Sequence, residues 1–451
     1  MMKLEEIERV YFIGIGGIGM SAIARYFLNR DCRVAGYDRT CTPLTTALTQ
    51  EGAFVSYNDD SSLIPIDFLE DKQHTLVVYT PAVPQNADIL SCFRRRGLNV
   101  MKRSEVLGII SKGQFCIAIA GTHGKTTTSC MIAHLLTASG YGCTAFLGGI
   151  ATNYNSNFLI DSNDVVVVEA DEYDRSFLTL SPDISVITSM DADHLDIYGD
   201  VSQMHESFRL FADCLKPNGM LLVKEGLPVP GIGYSATGKS GTGARNIRVQ
   251  NSSFLFDYFD GTNNIAGIEL QLPGKHNVEN AVAAIAVALK LGVNAVKVKA
   301  AVSSFKGVRR RFEYIVKTDA HIYIDDYAHH PVELKACFDA VRMLYPGKKL
   351  TVVFQPHLFS RTRDFADDFA RVLETADDLL LLEIYPAREL PIDGIDSEYL
   401  LDKVVLKDKQ VCTKSNLVEQ IRIKQPELLL TVGAGDIDTL VQPLKKVLAD
   451  V

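Results

Sequence analysis

Between the apolar run Phe115 to Ala120 and the helically spaced Met131, Leu135 and Leu136 stands Gly121-Thr122-His123-Gly124-Lys125-Thr126-Thr127-Thr128. The spacing predicts a buried strand over 115–120 and a helix over 126–138, joined by a glycine turn. Such a turn lets backbone N–H groups close around an anion at a helix N-terminus, where the helix dipole also favours negative charge. Lys125 is then expected to reach the terminal phosphates of a nucleotide, and Thr126 to ligate Mg²⁺. Ile119 stands where the pattern G-x-x-x-x-G-K-[ST] has its first glycine, so the competing reading is a Gly-Lys-Thr turn ending an ordinary strand.

The chain has 451 residues, room for about three domains at roughly 150 residues each. Hydrophobic residues make up 47%, enough for proper cores, and the net charge of -9 argues against nucleic acid or an anionic membrane surface as the main partner. No stretch approaches a membrane span, and the opening MMKLEEIERV lacks a basic region followed by an apolar one, so a cytosolic protein is expected. Nine cysteines without a C-x-x-C pair suit free thiols in a reducing compartment.

The first segment predicts strand Val10 to Ile13, then Gly14-Ile15-Gly16-Gly17-Ile18-Gly19, a helix from Met20 to Leu28, and strand Arg33 to Tyr37 ending at Asp38. A G-x-G-x-x-G turn with an acidic residue about 20 positions on places a diphosphate on a helix N-terminus and a carboxylate beside a ribose. Close packing alone would also explain Gly14 and Gly19. Strand Thr75 to Tyr79, the turn at Thr80 and the run Leu98 to Met101 continue the α/β pattern.

The second segment adds Val165 to Val168, closed by Glu169, and Ile184 to Thr188, both expected in a parallel sheet buried on two faces. A glycine- and serine-rich stretch from Gly231 to Gly243 leads into a peripheral β region, Phe254 to Tyr258 and Ile268 to Leu272, and a helix from Val278 to Leu291 follows. The third alternates again through Ile322 to Ile324, Pro331 to Leu344, Leu350 to Phe354, Phe365 to Glu374, Leu379 to Ile384 and Leu428 to Val432. The fold class expected is α/β in three domains: an N-terminal Rossmann-like domain over 1–108, a central P-loop mononucleotide-binding domain with a peripheral β region over 109–311, and a C-terminal Rossmann-like domain over 312–451.

Glu169, at the end of a buried strand near the phosphate loop, is placed to hold Mg²⁺ directly or through water. Asp171, Glu172 and Asp174 crowd the same turn and read partly as a solvated acidic loop. His194, between aspartates after the next strand, is a metal or phosphate ligand or a structural histidine. In Gly274-Lys275-His276-Asn277-Val278-Glu279-Asn280 the amides can read a base edge, or Asn277 can cap the helix. Arg309-Arg310-Arg311 is a phosphate-binding hinge or a solvated charge run. Tyr327, His329 and His330 end one strand of the third segment, Gln355-Pro356-His357-Leu358-Phe359-Ser360-Arg361 ends another, and Gly433-Ala434-Gly435-Asp436 completes a cleft for a small zwitterion.

Assembled, these motifs resemble the Mur ligases, ATP-dependent enzymes that build the peptide stem of peptidoglycan. The resemblance spans essentially the whole chain, and the Gly-Thr-His-Gly-Lys-Thr-Thr form is its most specific element. The N-terminal glycine fingerprint and the double histidine before Pro331 favour the branch that adds L-alanine to UDP-N-acetylmuramate. The alternatives are a related ligase that adds a peptide in muropeptide recycling and, from another class, an NAD-dependent oxidoreductase suggested by the first segment alone.

The resemblance implies a UDP-sugar on the first domain, with Gly14, Gly16, Gly17, Gly19, Met20, Ser21, Asp38 and Thr80 around it. It implies ATP at Gly121, Thr122, His123, Gly124, Lys125, Thr126 and Thr127, with His276, Asn277, Asn280 and Arg310 about the nucleotide, and Mg²⁺ on Thr126, Glu169 and His194. Tyr327, His329 and Arg361 fall toward the amino acid. Three departures stand out: Leu358 where many relatives carry a basic residue, no lysine between His194 and Lys216, and Arg388 where relatives often have glycine.

Overall fold

The computed structural model describes residues 3–191, 198, 200–237, 241–250, 253–387 and 389–449, apart from the side chain of Asp174. The chain forms two compact units, one of Met1–Arg248, Leu255–Glu269 and Val278–Lys306, the other of Val249–Phe254, Leu270–Asn277 and Gly307–Val451.

The first unit opens with β1 (Arg9–Ile13), β2 (Arg33–Tyr37), β3 (Phe54–Ser56), β4 (Thr75–Tyr79) and β5 (Asn99–Lys102). They form one sheet in the order β3-β2-β1-β4-β5, parallel throughout. Successive β1 side chains point to opposite faces, and both faces are covered. Val10 and Phe12 meet Ile23 and Phe27, whereas Tyr11 and Ile13 meet Phe68 and Phe93. This alternation within a wholly apolar run is why the strand reads as continuous hydrophobicity in the sequence.

The next ten strands are β6 (Phe115–Ala120), β7 (Thr144–Ala151), β8 (Ser156–Leu159), β9 (Val165–Glu169), β10 (Ile184–Ile187), β11 (Met220–Lys224), β12 (Ile232–Ser235), β13 (Thr242–Gln250), β14 (Ser253–Phe259) and β15 (Asn264–Leu270). They make a single sheet, β15-β14-β13-β12-β11-β10-β6-β9-β7-β8. The β region expected to be peripheral is thus continuous with the sheet of β6, because β11 and β12 carry its parallel pairing outward to β13. The two sheets also share a core, in which Phe12 and Phe27 belong to the same apolar cluster as Phe146 and Phe158.

The second unit holds β16 (Glu313–Lys317), β17 (Ile322–Asp326), β18 (Leu350–Phe354), β19 (Asp378–Leu381), β20 (Lys409–Val411) and β21 (Leu428–Val432), ordered β16-β17-β21-β18-β19-β20. Only β16 runs antiparallel among the described pairings of this sheet. The helix expected over Phe365 to Glu374 is Ala366–Leu373, and a short helix not expected from the sequence, Phe359–Asp364, precedes it. Leu358, with a left-handed φ of 71°, starts this short helix.

Candidate active site

In every sheet the strands that carry the motifs end in register. Ile13 pairs with Tyr37 and Tyr79, so Gly14, Asp38 and Thr80 follow three adjacent strand ends. Ile119 pairs with Glu169, and Ala120 with Ile187. Asp326 and Phe354 both pair with Val432. Ligand sites of open parallel sheets gather at such carboxyl-end edges.

Around the first edge, Asp38 accepts from Gly16 N at 2.8 Å and from Thr40 N at 3.1 Å. Its carboxylate therefore braces the glycine turn, whereas the sequence reading had placed it beside a ribose hydroxyl. A Cβ on Gly14 would lie 2.7 Å from the Thr80 methyl group, and φ there is +89°, so this glycine serves both close approach and backbone shape. Met20 and Ser21, expected near the UDP-sugar, turn inward and are buried. Asn157 of β8 donates to Ser21 Oγ at 2.9 Å and to the Ile18 carbonyl, which ties the helix Ile18–Leu28 after the glycine turn to the second sheet.

At the second edge Gly121 has φ +140° and Gly124 φ +85°, conformations that side chains rarely adopt. The helix starts at Lys125, one residue before the expected start, with Gly124 as its N-cap. The turn is held from outside by residues that sequence reasoning missed. Thr188 Oγ1 lies between the carbonyls of Ala120 and His123 and shares its one proton with them, and Ser189 Oγ accepts from His123 N at 2.6 Å. Lys125 Nζ reaches the Glu172 carboxylate and the Gly121 carbonyl. Burial alone would lower the Lys125 pKa, but Glu172, Glu169 and Asp171 outweigh it and hold the ammonium above its ordinary value. The reading of this acidic turn as a solvated loop fails for Glu172, which is buried, while Asp171 is bound by Arg103.

Glu169 accepts from Gly148 N at 3.1 Å, and a Cβ on Gly148 would overlap that carboxylate. This bare backbone leaves a cradle for a charged oxygen pair at the strand end. Asn280 stands against Gly124, where a Cβ would come 3.1 Å from its Oδ1. Asn277 lies within the first turn of the helix Lys275–Lys290 and not at its cap, since that helix begins three residues before the expected start; its amide donates to the Pro273 carbonyl. The His276 ring covers Gly274. His194 lies outside the described residues.

The third edge gathers a separate cluster. Arg310 donates to Asp325 Oδ2 at 3.0 Å and to the Gly433 carbonyl at 2.7 Å, so it is anchored inside the second unit and is no solvated charge run. Its own carbonyl accepts from Tyr327 N, and its guanidinium lies 5.4 Å from the Tyr327 ring centre. His329 packs edge-on against both Tyr327 and His357, and its Nδ1 lies 3.0 Å from the Tyr327 carbonyl and 3.2 Å from Glu333. Burial pushes the His329 pKa down, Glu333 counters this, and Arg361 adds to the lowering. A neutral imidazole results at neutral pH. Arg361 is buried on the helix Phe359–Asp364. His330, the second of the pair, caps the helix Pro331–Leu344. The buried carboxylate of Asp326 accepts from Phe312 N and Ala328 N, yet burial raises its pKa to about 6.

Three sequence profiles match in tandem: the Mur ligase family catalytic domain over residues 9–115, the Mur ligase middle domain over 119–288, and the Mur ligase glutamate ligase domain over 310–435. UDP-N-acetylmuramate--L-alanine ligase of Christiangramia forsetii is 50% identical over 448 residues, 99% of either chain. The chain belongs to the Mur ligase family. The protein of the same description from Flavobacterium psychrophilum is also 50% identical, over 445 residues and 99% of either chain. Among solved structures, UDP-N-acetylmuramate-alanine ligase from Thermotoga maritima superposes with a TM-score of 0.84 at 26% identity, covering 98% of this chain and 99% of that one.

For a Mur ligase chain, the Gly14–Gly19 turn is not the mark of an oxidoreductase. Thr188, Ser189 and Gly148 escaped the sequence reading because their roles arise from strands far apart in sequence. The one available signal was that Thr188-Ser189 follows a buried strand whose end was already expected at the sheet edge.

Proposed function

We propose that this chain is an ATP-dependent ligase joining L-alanine to the carboxylate of UDP-N-acetylmuramate in cytoplasmic peptidoglycan precursor synthesis. The observation that carries the reading is a phosphate loop in register with a carboxylate strand end, in a chain half identical from end to end to relatives described by that activity. Nine unbridged cysteines agree with a reducing compartment. No helix among the described residues is long and apolar enough to cross a membrane.

In this reading residues 1–108 take the UDP-sugar at the Gly14–Gly19 turn, 109–311 take ATP and Mg²⁺, and 312–451 take the amino acid. Backbone amides at Gly121 to Thr127 and the Lys125 ammonium hold the phosphates. Thr126 and Glu169, with His194, would hold Mg²⁺; the hydroxyl and carboxylate are the hard oxygen donors that cation prefers, and the open backbone at Gly148 leaves the carboxylate its room. When bound, Mg²⁺ neutralises charge on the triphosphate.

A carboxylate is a poor acyl donor. An oxygen of the muramate carboxylate takes the γ-phosphoryl group, ADP leaves, and the resulting acyl phosphate is attacked by the amine of L-alanine. The C–N bond forms, phosphate departs with the C–O bond, and the amine loses its proton. Lys125 and the helix N-terminus stabilise the transferring group electrostatically. Arg361 receives the amino acid's carboxylate, and neutral His329 lines the same cluster. ADP release measured with UDP-N-acetylmuramate and, in turn, L-alanine, glycine, L-serine and a muropeptide-derived tripeptide tests the reading. L-alanine should give the highest turnover; release independent of L-alanine, or dependent on the tripeptide, would overturn it.

A further inference from the structure

An ammonium group has three N–H donors and no more. On Lys125 they meet the Gly121 carbonyl and Glu172 Oε1, the latter at 2.9 Å, while Glu172 Oε2 lies 2.8 Å away as an ion-pair contact without a hydrogen bond. A phosphate that draws the ammonium toward itself therefore competes with these two partners and with the Glu172 ion pair. The Gly121 carbonyl belongs to the glycine turn itself. Glu172 is the partner that can be exchanged.

The two side chains differ in freedom. The Glu172 side chain is 1% exposed, and its backbone carbonyl accepts from Arg175 N at 2.9 Å and from the Tyr198 hydroxyl, so the buried carboxylate hangs from an anchored backbone. Lys125 carries its charge on a flexible four-carbon stem. When the ammonium moves, Glu172 stays behind, buried beside Glu169 and Asp171, whose charges also act on Lys125. Three carboxylates there oppose an incoming triphosphate and favour the ammonium's return once the terminal phosphate has gone.

We propose that Glu172 is a positioning residue that holds Lys125 poised in the nucleotide-free enzyme and yields it to the terminal phosphate of ATP, making nucleotide binding an exchange of anions on one ammonium. The proposal rests on the reading of Gly121 to Thr127 as the ATP site. It gives Glu172, a residue outside the expected ligand set, control over how tightly ATP is held and how readily the loop resets.

The test is calorimetric titration with the non-hydrolysable analogue adenosine 5′-(β,γ-imido)triphosphate, in EDTA and in Mg²⁺, on the full chain. Glu172→Gln keeps the shape and removes the charge, and it should tighten binding about 10-fold in EDTA and less in Mg²⁺, which already offsets carboxylate charge. In a Lys125→Met background the same substitution should leave affinity nearly unchanged. Glu172→Asp withdraws the carboxylate by one methylene and should shift affinity in the same direction by a smaller factor, so it decides the matter if Glu172→Gln does not fold. Unchanged or weaker binding in the Lys125 background, or equal tightening in the Lys125→Met background, overturns the proposal. A wild-type chain that binds no analogue overturns the ATP reading as well, and so separates the two failures.

Discussion

Arg103 donates to the carboxylate of Asp171 at 3.1 Å, and its guanidinium fills the space beside Gly19, where a Cβ would come 2.5 Å from Nη1. One side chain thus touches the last glycine of the N-terminal turn and the acidic turn beside Lys125. The pair is partly exposed, so it contributes about 0–1 kcal/mol to stability and its meaning is geometric. Arg103→Ala should leave the melting temperature nearly unchanged while weakening the coupling between sugar-nucleotide and ATP binding about 5-fold or more. Calorimetry of each nucleotide with and without the other measures that coupling; an equal coupling in variant and wild type would show that the ion pair does not carry it.

Lys125→Ala should fold and yet lose on the order of 10²-fold in turnover, since one preorganised charge at a developing anion is worth roughly 3 kcal/mol. Phosphate release under saturating substrates is the readout. Near-normal release from a folded variant would remove Lys125 from the catalytic set.

Gly148→Ala introduces no backbone strain, because Gly148 lies on β7 without a left-handed φ, but its methyl group collides with the Glu169 carboxylate. The carboxylate should swing aside and the Mg²⁺ requirement for ADP release should rise roughly 10-fold, the range in which groups supporting a metal ligand act. A Mg²⁺ titration that superposes on the wild-type curve would place the metal elsewhere.

Arg361→Ala removes a buried guanidinium beside His329 and should raise the L-alanine requirement roughly 10- to 100-fold, as expected for one charge-assisted hydrogen bond. UDP-sugar affinity should not change. Single-turnover amide formation at varied L-alanine checks this; an unaltered alanine dependence would move the amino-acid site away from Arg361, and the absence of a basic side chain at Leu358 makes the measurement more telling.

Asp326 titrates at about 6 in the folded chain against 3.8 as an ordinary aspartate. Between those values the folded chain keeps a proton that the unfolded chain has released, so the favourable contribution is complete below 3.8 and disappears as pH rises to about 6. Asp326→Asn lacks this titration. Its urea midpoint should therefore gain on that of the wild type as pH goes from about 4 to about 7. A gap moving the other way would contradict the burial that raises this group.

Local sequence determined the elements and the loops that can carry charge chemistry. The buried parallel strands 10–13, 115–120 and 428–432 declare themselves as unbroken apolar runs, because a strand covered on both faces needs no polar side. The Gly121 to Thr128 turn and Glu169 were legible for the same local reason: glycine conformation and strand ends are properties of neighbours in the chain. Tertiary structure alone decided the partners. Asp38 braces Gly16, Glu172 rather than bulk solvent meets Lys125, Arg310 is pinned by Asp325 and Gly433, and Gly148 makes room for Glu169. Each of these joins segments far apart in sequence that sheet order brings side by side, and sheet order follows from which apolar faces pack together, a long-range property that local periodicity does not encode.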